Sequence, residues 1–570
     1  ASADRRGAVL TAVVLALLVV FSGRLLQLQA VDSRELAAVA LAGRTTTVPL
    51  PASRGDITAA DGSVLAASVE RRDVVVDQTL VEDPAATAAA IVPLVEGADP
   101  AAVQEALTGD RRWAVVVKGV TPAEWRAVDA LDLTGVYAEQ ASLRTYPSGN
   151  VAGNLIGWVG RDGEARAGLE ITQDEVLTGT PGSETFEQGA KGQRIPMGEA
   201  SRVAPVPGHD VHLTIDRDLQ WYAQRAIAAQ VEVMRAEWGA VTVTDPRTGE
   251  LLALAESGTV DPNDPGASAV EERGNRSLQQ VIEPGSTAKV VTAAAALEEG
   301  LVTPTTAFRI PDRYTAPNGQ TFRDSSPHPE QKLTFAGVLA SSSNTGTVMV
   351  GERLSRQQRY DYLRAFGLGE ESALGFPGES AGILQGPDDW DGRKQYTVLF
   401  GQGFAATMLQ SAQVFATIAN GGVRMPTHAI AGTTAPDGTF TPADPGEGVR
   451  VVSETTADQV LSMLEGAVGE GGTGGNAAVP GFRVAGKTGT AQAAGENGYA
   501  DRQYTSSFIG MAPAEDPELV VSVVVQRPQE AYYGGTVAAP VFSDVMSYAL
   551  AQRGVAPTGT EPDLVPLTWE

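Results

Sequence analysis

A chain of 570 residues with 43% hydrophobic content is long enough for two or three domains with real cores. Its net charge of -27 weighs against nucleic acid as a partner, since phosphate binding needs a basic face. Cysteine is absent, which excludes disulfides, thiolate metal sites and cysteine nucleophiles; no metal or cofactor is expected. The four histidines, His209, His212, His328 and His428, form no H-E-x-x-H and accompany no G-x-S-x-G, so a metalloprotease or an α/β-hydrolase has little to stand on.

The first element is apolar. Gly7 to Gly23 carries no charge, with Arg5 and Arg6 before it and Arg24 after it. Leu25, Leu26 and Leu28 extend the run if Arg24 snorkels, which gives a transmembrane anchor over 7–29 behind a cytoplasmic tail over 1–6. The leading arginines favour a cytoplasmic N-terminus, and everything after the anchor would be extracytoplasmic. The alternative is a cleaved signal peptide with Ala38-Val39-Ala40 as its site, but that site lies far from the apolar run.

Residues 30–208 read as a region rich in strand patches. TTTVPL, then DITAADGSVLAAS with a turn at Asp61-Gly62, then DVVVDQ have strand character. Residues 81–132 read as Ala-rich helix, with WAVVVKGV as a strand. SLRTYPSGN is turn-rich, ETFEQGAKGQRIP alternates like an exposed hairpin, and Pro205-Val206-Pro207-Gly208 ends the region.

A second region spans 209–554. DVHLTID predicts a strand, LQWYAQRAIAAQVEVM a helix, and GAVTVTDPRTGELLALA two strands around a turn. FRVAGKTGTAQ, YTSSFIGMAP and ELVVSVVVQ are late strands, and the last helix is placed at Pro540–Gln552. The pattern predicts a mixed α/β architecture, a sheet flanked by helices. Gly466 to Gly475 lacks the G-K-[ST] of a phosphate loop and is expected to be a flexible loop. The Pro-rich tail over 555–570 is expected to be loose.

Chemistry concentrates in three short motifs. The lysines are only Lys118, Lys191, Lys289, Lys332, Lys394 and Lys487. Two of them stand where an acyl-transfer serine needs an amine. Ser286-Thr287-Ala288-Lys289 follows a loop and opens the apolar run KVVTAAAALEEG. Ser286 is therefore expected at a helix N-terminus, where free N–H groups and the dipole favour developing negative charge. Lys289 falls one turn later on the same face. A free lysine has a pKa of about 10.4 and cannot act as a base while charged. Activity as a base near neutral pH needs a shift of roughly three units, about 4 kcal/mol, from burial and a nearby cation, for which Lys487 is the candidate. Ser342-Ser343-Asn344 and Lys487-Thr488-Gly489-Thr490 follow. Each motif alone is weak, because Ser286 could be an ordinary N-cap and serine and asparagine are common in loops. The ordered set S-x-x-K, S-x-N, K-T-G is the signature of penicillin-binding proteins and class A β-lactamases.

On these residues the chain resembles the class B penicillin-binding proteins, which are D,D-transpeptidases, and among them the cell-division type called FtsI. Arg54-Gly55-Asp56-Ile57, Asp61-Gly62 and Leu65-Ala66 resemble the stretch that opens the family's pedestal. Arg144-Thr145-Tyr146-Pro147, Gly168-Leu169-Glu170 and Leu177-Thr178-Gly179 resemble its later pedestal motifs. Gly401-Gln402-Gly403 with Thr407 and Leu409-Gln410, and Tyr533-Gly534-Gly535 with Ala539-Pro540-Val541-Phe542, resemble elements around the third motif. The middle motif is S-S-N where class A β-lactamases have S-D-N, and their E-x-x-L-N element is missing, which argues against efficient penicillin hydrolysis.

The resemblance implies roles. Ser286 would be the nucleophile and Lys289 its base. Ser342 would pass the proton to the leaving amine, and Asn344 would hold the substrate amide and Lys289. Lys487 would supply positive potential and orient Ser342. Thr488, Gly489 and Thr490 would bind substrate, the threonines gripping its terminal carboxylate, and the backbone N–H groups of Ser286 and Thr490 would form the oxyanion hole. The resemblance also implies an elongated β-rich pedestal over 30–208 and a penicillin-binding, serine β-lactamase-like transpeptidase domain over 209–554. Implied partners are stem peptides ending in D-Ala-D-Ala, β-lactams, the membrane, a polytopic FtsW-like glycosyltransferase and small division-complex proteins. The implied place is the cytoplasmic membrane at the septum, single-pass. Competing readings are an elongation-type transpeptidase, a D,D-carboxypeptidase or β-lactamase-like hydrolase, and a non-catalytic β-lactam-binding scaffold.

Overall fold

The computed structural model describes residues 2–31, 44–160, 162–187, 189, 195, 200–495, 498–562 and 564–570. Ala38-Val39-Ala40 and most of the hairpin stretch after Glu187 lie outside the described residues. The fold is mixed α/β. Ser2–Leu26 is one helix, and Asp4–Gln29 is long and apolar enough to cross a bilayer, with a mean hydropathy of 2.4 over its most apolar 18 residues. At 1.5 Å per residue it spans roughly 39 Å, more than a hydrocarbon core requires.

The chain forms two compact units. The first comprises 1–53, 70–143 and 178–208. In it Thr45–Leu50, Gly182–Glu187 and Ala200–Val203 make a three-stranded antiparallel sheet. A small α/β core forms where the end of the strand Val64–Val76 pairs with Ala114–Val120. Three helices cover it, and each opens with a capping residue followed by proline: Asp83-Pro84, Asp99-Pro100 and Thr121-Pro122. The cap accepts orphan N–H groups and proline fixes the first helical φ. Val74, Ile91, Leu107 and Val120 meet in the core they enclose.

The second unit comprises 54–69, 144–177 and 209–570. Two stretches from the N-terminal half of the sequence thus pack with its C-terminal half, through Ile57, Leu65, Leu155, Leu169 and Leu177 against Val211, Leu213 and Leu254. Asp210–Leu213, the DVHLTID strand, pairs with Ile57–Thr58 and Ile430–Thr434, not with the main sheet. Glu170 is fully buried and takes Arg54 Nε at 2.6 Å, Arg144 Nε at 2.7 Å and the Tyr146 hydroxyl at 3.3 Å. Removing one member of a buried ion cluster leaves uncompensated charge, at a cost of about 3–5 kcal/mol. Glu170→Ala should therefore lower the melting temperature by several degrees, and an unchanged melt would contradict this role.

The main sheet is antiparallel, in the order Leu251–Glu256, Trp238–Thr244, Leu519–Gln526, Gly498–Ala512, Ala485–Gly495. Its central strands are mostly apolar and buried, with Thr242 and Ser522 among the few polar residues, because both faces are covered. Val521, Val523 and Phe508 face the helices Arg217–Met234 and Ala539–Gln552. Val520 and Ile509 face a helical layer that includes Lys289–Glu298, Phe335–Ala340, Met408–Ala419 and Glu454–Val468.

Two expectations about loops change. The glycine-dense stretch after Gly466 is a built turn, in which Gly474 N–H donates to Ala467 O at 2.9 Å. The segment from Leu564 onward is docked, not loose: Thr334 N–H donates to Leu567 O at 3.1 Å and Trp569 Nε1 donates to Phe308 O at 2.9 Å. Backbone carbonyls that find buried donors override a composition that reads as linker.

Candidate active site

The three motifs converge on a cleft of about 500 Å³ whose lining includes Ser286, Ser342, Asn344, Thr488 and Thr490. Ser286 lies in a 3-10 turn, Gly285–Ala288, which runs into the helix Lys289–Glu298. The turn starts in the left-handed region at Gly285, φ +57°, and Gly285 N–H donates to Gly401 O at 3.0 Å. A side chain at Gly401 would place its Cβ 2.0 Å from Gly285 O. The Gly401-Gln402-Gly403 loop is therefore the backing of the Ser286 turn, and only glycine permits that approach. Among the described residues no group hydrogen-bonds the Ser286 hydroxyl, and the side chain is partly open to the cleft.

Lys289 is 1% exposed. Its Nζ donates to the Ser342 carbonyl at 2.5 Å and to Ser342 Oγ at 3.2 Å. Burial brings its pKa down to about 7, with the Asp324 carboxylate opposing. Lys487, on the edge strand Ala485–Gly495, is fully buried, and its Nζ reaches Thr488 O at 3.2 Å. Burial first, and the charge of Lys289 second, hold it well below the usual lysine range. The expected cause of the Lys289 shift thus needs correcting. Desolvation by burial is what lowers it, and the Lys487 charge is not among the causes.

Ser342 sits between the helices Phe335–Ala340 and Asn344–Gly351 with φ +60°, a left-handed conformation rare for a residue with a side chain. Asp324, unmarked in the sequence, fixes this turn. Its carboxylate accepts from Asn344 N at 2.5 Å, Thr345 N at 2.9 Å and Ser343 Oγ at 2.7 Å, and it meets His328 Nε2 at 3.0 Å. Asn344 Nδ2 donates to Arg323 O at 3.4 Å, so Lys289 is held by Ser342 and not by Asn344.

On the opposite wall, Gly489 lets the strand approach the nucleophile turn: a Cβ there would lie 3.1 Å from both Pro284 O and Thr287 Cγ2. Thr488 Oγ1 pairs with Thr473 Oγ1 at 2.8 Å, and Thr490 Oγ1 accepts from Gly534 N–H at 3.1 Å. Tyr504, Tyr532 and Tyr533 stack at the mouth, with ring centroids 4.5 and 4.4 Å apart. Thr473, Tyr504 and Tyr532 escaped the sequence reading, because no local pattern separates them from ordinary loop and strand residues.

Comparison with known proteins agrees with this architecture. Residues 239–547 match the penicillin binding protein transpeptidase domain, and residues 49–213 the penicillin-binding protein dimerisation domain. Penicillin-binding protein PbpB of Mycolicibacterium smegmatis is 36% identical, over 98% of this chain and 91% of its own. A probable peptidoglycan D,D-transpeptidase, PenA of Neisseria gonorrhoeae, is 33% identical, over 90% and 86%. Among solved structures, penicillin binding protein 3 from Mycobacterium tuberculosis complexed with aztreonam superposes with a TM-score of 0.71 at 30% identity, over 92% of this chain and all of that one. The chain belongs to the class B penicillin-binding proteins, peptidoglycan D,D-transpeptidases that join a dimerisation domain to a transpeptidase domain.

Proposed function

We propose that this enzyme crosslinks peptidoglycan stem peptides through an acyl-enzyme on Ser286, as a single-pass membrane protein acting in septal wall synthesis. The observation that carries the reading is the buried Lys289 amine, one turn after Ser286, near neutral in pKa and bonded to Ser342. In the first step the Ser286 hydroxyl attacks the penultimate D-Ala carbonyl while Lys289 takes its proton. Ser342 delivers its proton to the departing D-alanine nitrogen as the C–N bond breaks and takes up the one held by Lys289, which ends neutral. The amides of Ser286 and Thr490 stabilise the oxyanion, and Thr488 and Thr490 hold the terminal carboxylate. In the second step an amine of a neighbouring stem attacks the ester and gives up a proton to the neutral Lys289, and that proton goes to the Ser286 oxygen as the ester C–O bond breaks. A β-lactam enters the first step and stalls there, and the aztreonam complex of the mycobacterial relative supports this.

The apolar N-terminal helix supports the anchor, and Arg5 and Arg6 ahead of it favour an extracytoplasmic catalytic unit. The Gly401-Gln402-Gly403 stretch favours the division-type reading by resemblance, and an FtsW-like glycosyltransferase and small division proteins are the partners which that reading implies. The domain limits we propose along the sequence are a tail over 1–6, anchor 7–29, pedestal 30–208, catalytic domain 209–554 and tail 555–570, with 54–69 and 144–177 packing in the catalytic unit and the end of the tail docked on it. Product analysis tests the reaction: the enzyme should yield a crosslinked dimer of stem peptides, whereas a carboxypeptidase would yield only trimmed peptide.

The base assignment predicts a pH profile. Below the Lys289 pKa of about 7 the amine is protonated and cannot accept the serine proton. Acylation should rise about tenfold per pH unit up to about pH 7 and then level off. A profile still rising at pH 9 would place an unperturbed lysine at the site.

A further inference from the structure

The segment Leu564–Trp569 touches elements that carry two of the three motifs. The Thr334 hydroxyl caps the helix Phe335–Ala340 by accepting from Gly337 N–H at 3.0 Å, and it donates to Pro566 O at 2.6 Å. Leu333 bridges to Thr568, and Trp569 N–H donates to Lys332 O at 3.4 Å. Arg309 and Lys332, paired across one hairpin, both lie over the Trp569 ring, at 5.4 and 5.1 Å. Gly337 has no room for a side chain, because its Cβ would fall 1.9 Å from Leu567 O. That helix ends directly before Ser341-Ser342, whose left-handed backbone presents a carbonyl and a hydroxyl to Lys289. On its other side the segment meets the glycine turn. A Cβ on Gly466 would lie 3.3 Å from Leu567 Cδ2, and one on Gly469 3.7 Å from Leu564 Cδ1. The same turn carries Thr473, the partner of Thr488.

We propose that Leu564–Trp569 is a positioning strap, which sets the height of the Ser342 turn against Lys289 and its spacing from the Thr488 strand. The inference rests on the acyl-enzyme reading above. Lys289 is faced by Asp324, Lys487 and the two Ser342 oxygens, and the strap reaches it only through the last of these. If the Ser342 turn relaxes, water reaches Lys289 and its pKa climbs toward the free value, so less of it is neutral at a given pH.

The test uses the full chain with Trp569→Ala, Trp569→Phe and Leu567→Ser, and reads the second-order rate of labelling by a fluorescent penicillin from pH 5.5 to 9. Trp569→Ala and Leu567→Ser should slow labelling at neutral pH at least tenfold, below their melting temperatures, and move the acid limb to higher pH. Trp569→Phe, which keeps an aromatic ring against the two cations, should recover most of the rate. If Trp569→Ala does not fold, the pair Arg309→Ala and Lys332→Ala loosens the ring from its exposed sides and should shift the limb in the same direction. Folded variants with the wild-type rate and an unmoved limb would overturn the strap as a positioning device. Failure of the wild type itself to label at Ser286 would overturn the acyl-enzyme reading instead.

Discussion

Replacing Lys289 with methionine should reduce acylation by β-lactams about 10²–10⁴-fold, the range that a positioned general base contributes. Methionine has a similar length and no charge, so it suits a site that is 1% exposed and already depresses lysine. The fold should survive, because no buried carboxylate loses a salt-bridge partner: Lys289 Nζ bonds only the two Ser342 oxygens among the described residues. A folded Lys289→Met protein acylated within tenfold of wild type would remove Lys289 from the chemistry. The remaining candidate base would then be Lys487, which is further buried and bonded along its own strand.

The second large effect belongs to Asp324. Asp324→Ala removes the acceptor shared by Asn344 N, Thr345 N and Ser343 Oγ, and leaves the first turn of the helix Asn344–Gly351 without its anion. A charged hydrogen-bond acceptor with several buried donors is worth about 3 kcal/mol, and the strained Ser342 backbone depends on such bonds to persist. We expect a lower melting temperature and acylation at least tenfold slower. Asp324→Asn separates the two contributions. It keeps the shape but removes the charge that opposes the Lys289 shift, so Lys289 should fall further and the acid limb of the pH profile should move to lower pH. A limb moving to higher pH would contradict that electrostatic assignment.

Much of the site was legible because its chemistry is local in sequence. Ser286 and Lys289 are three residues apart on one turn, and the apolar run after them had to be a buried helix. The sheet was legible from largely apolar strands such as Leu519–Gln526, which are covered on both faces. Asp324 was not legible: it follows a three-residue strand, and its importance comes from donors some twenty residues later in the chain. The packing of 54–69 and 144–177 with the catalytic unit was hidden for the same reason, since strand pairing such as Ile57 with Val211 leaves no trace in spacing. The docked Leu564–Trp569 segment contradicts its composition because backbone carbonyls, common to every residue, make the contacts.

The central claim is that Ser286 is the acylated nucleophile. The most direct measurement is covalent labelling of the protein with a fluorescent penicillin, with mapping of the labelled peptide and Ser286→Ala beside it. A stable adduct should form on Ser286 and be absent from the folded Ser286→Ala variant. A folded wild type that takes no label, or a label that persists in the variant, would contradict it.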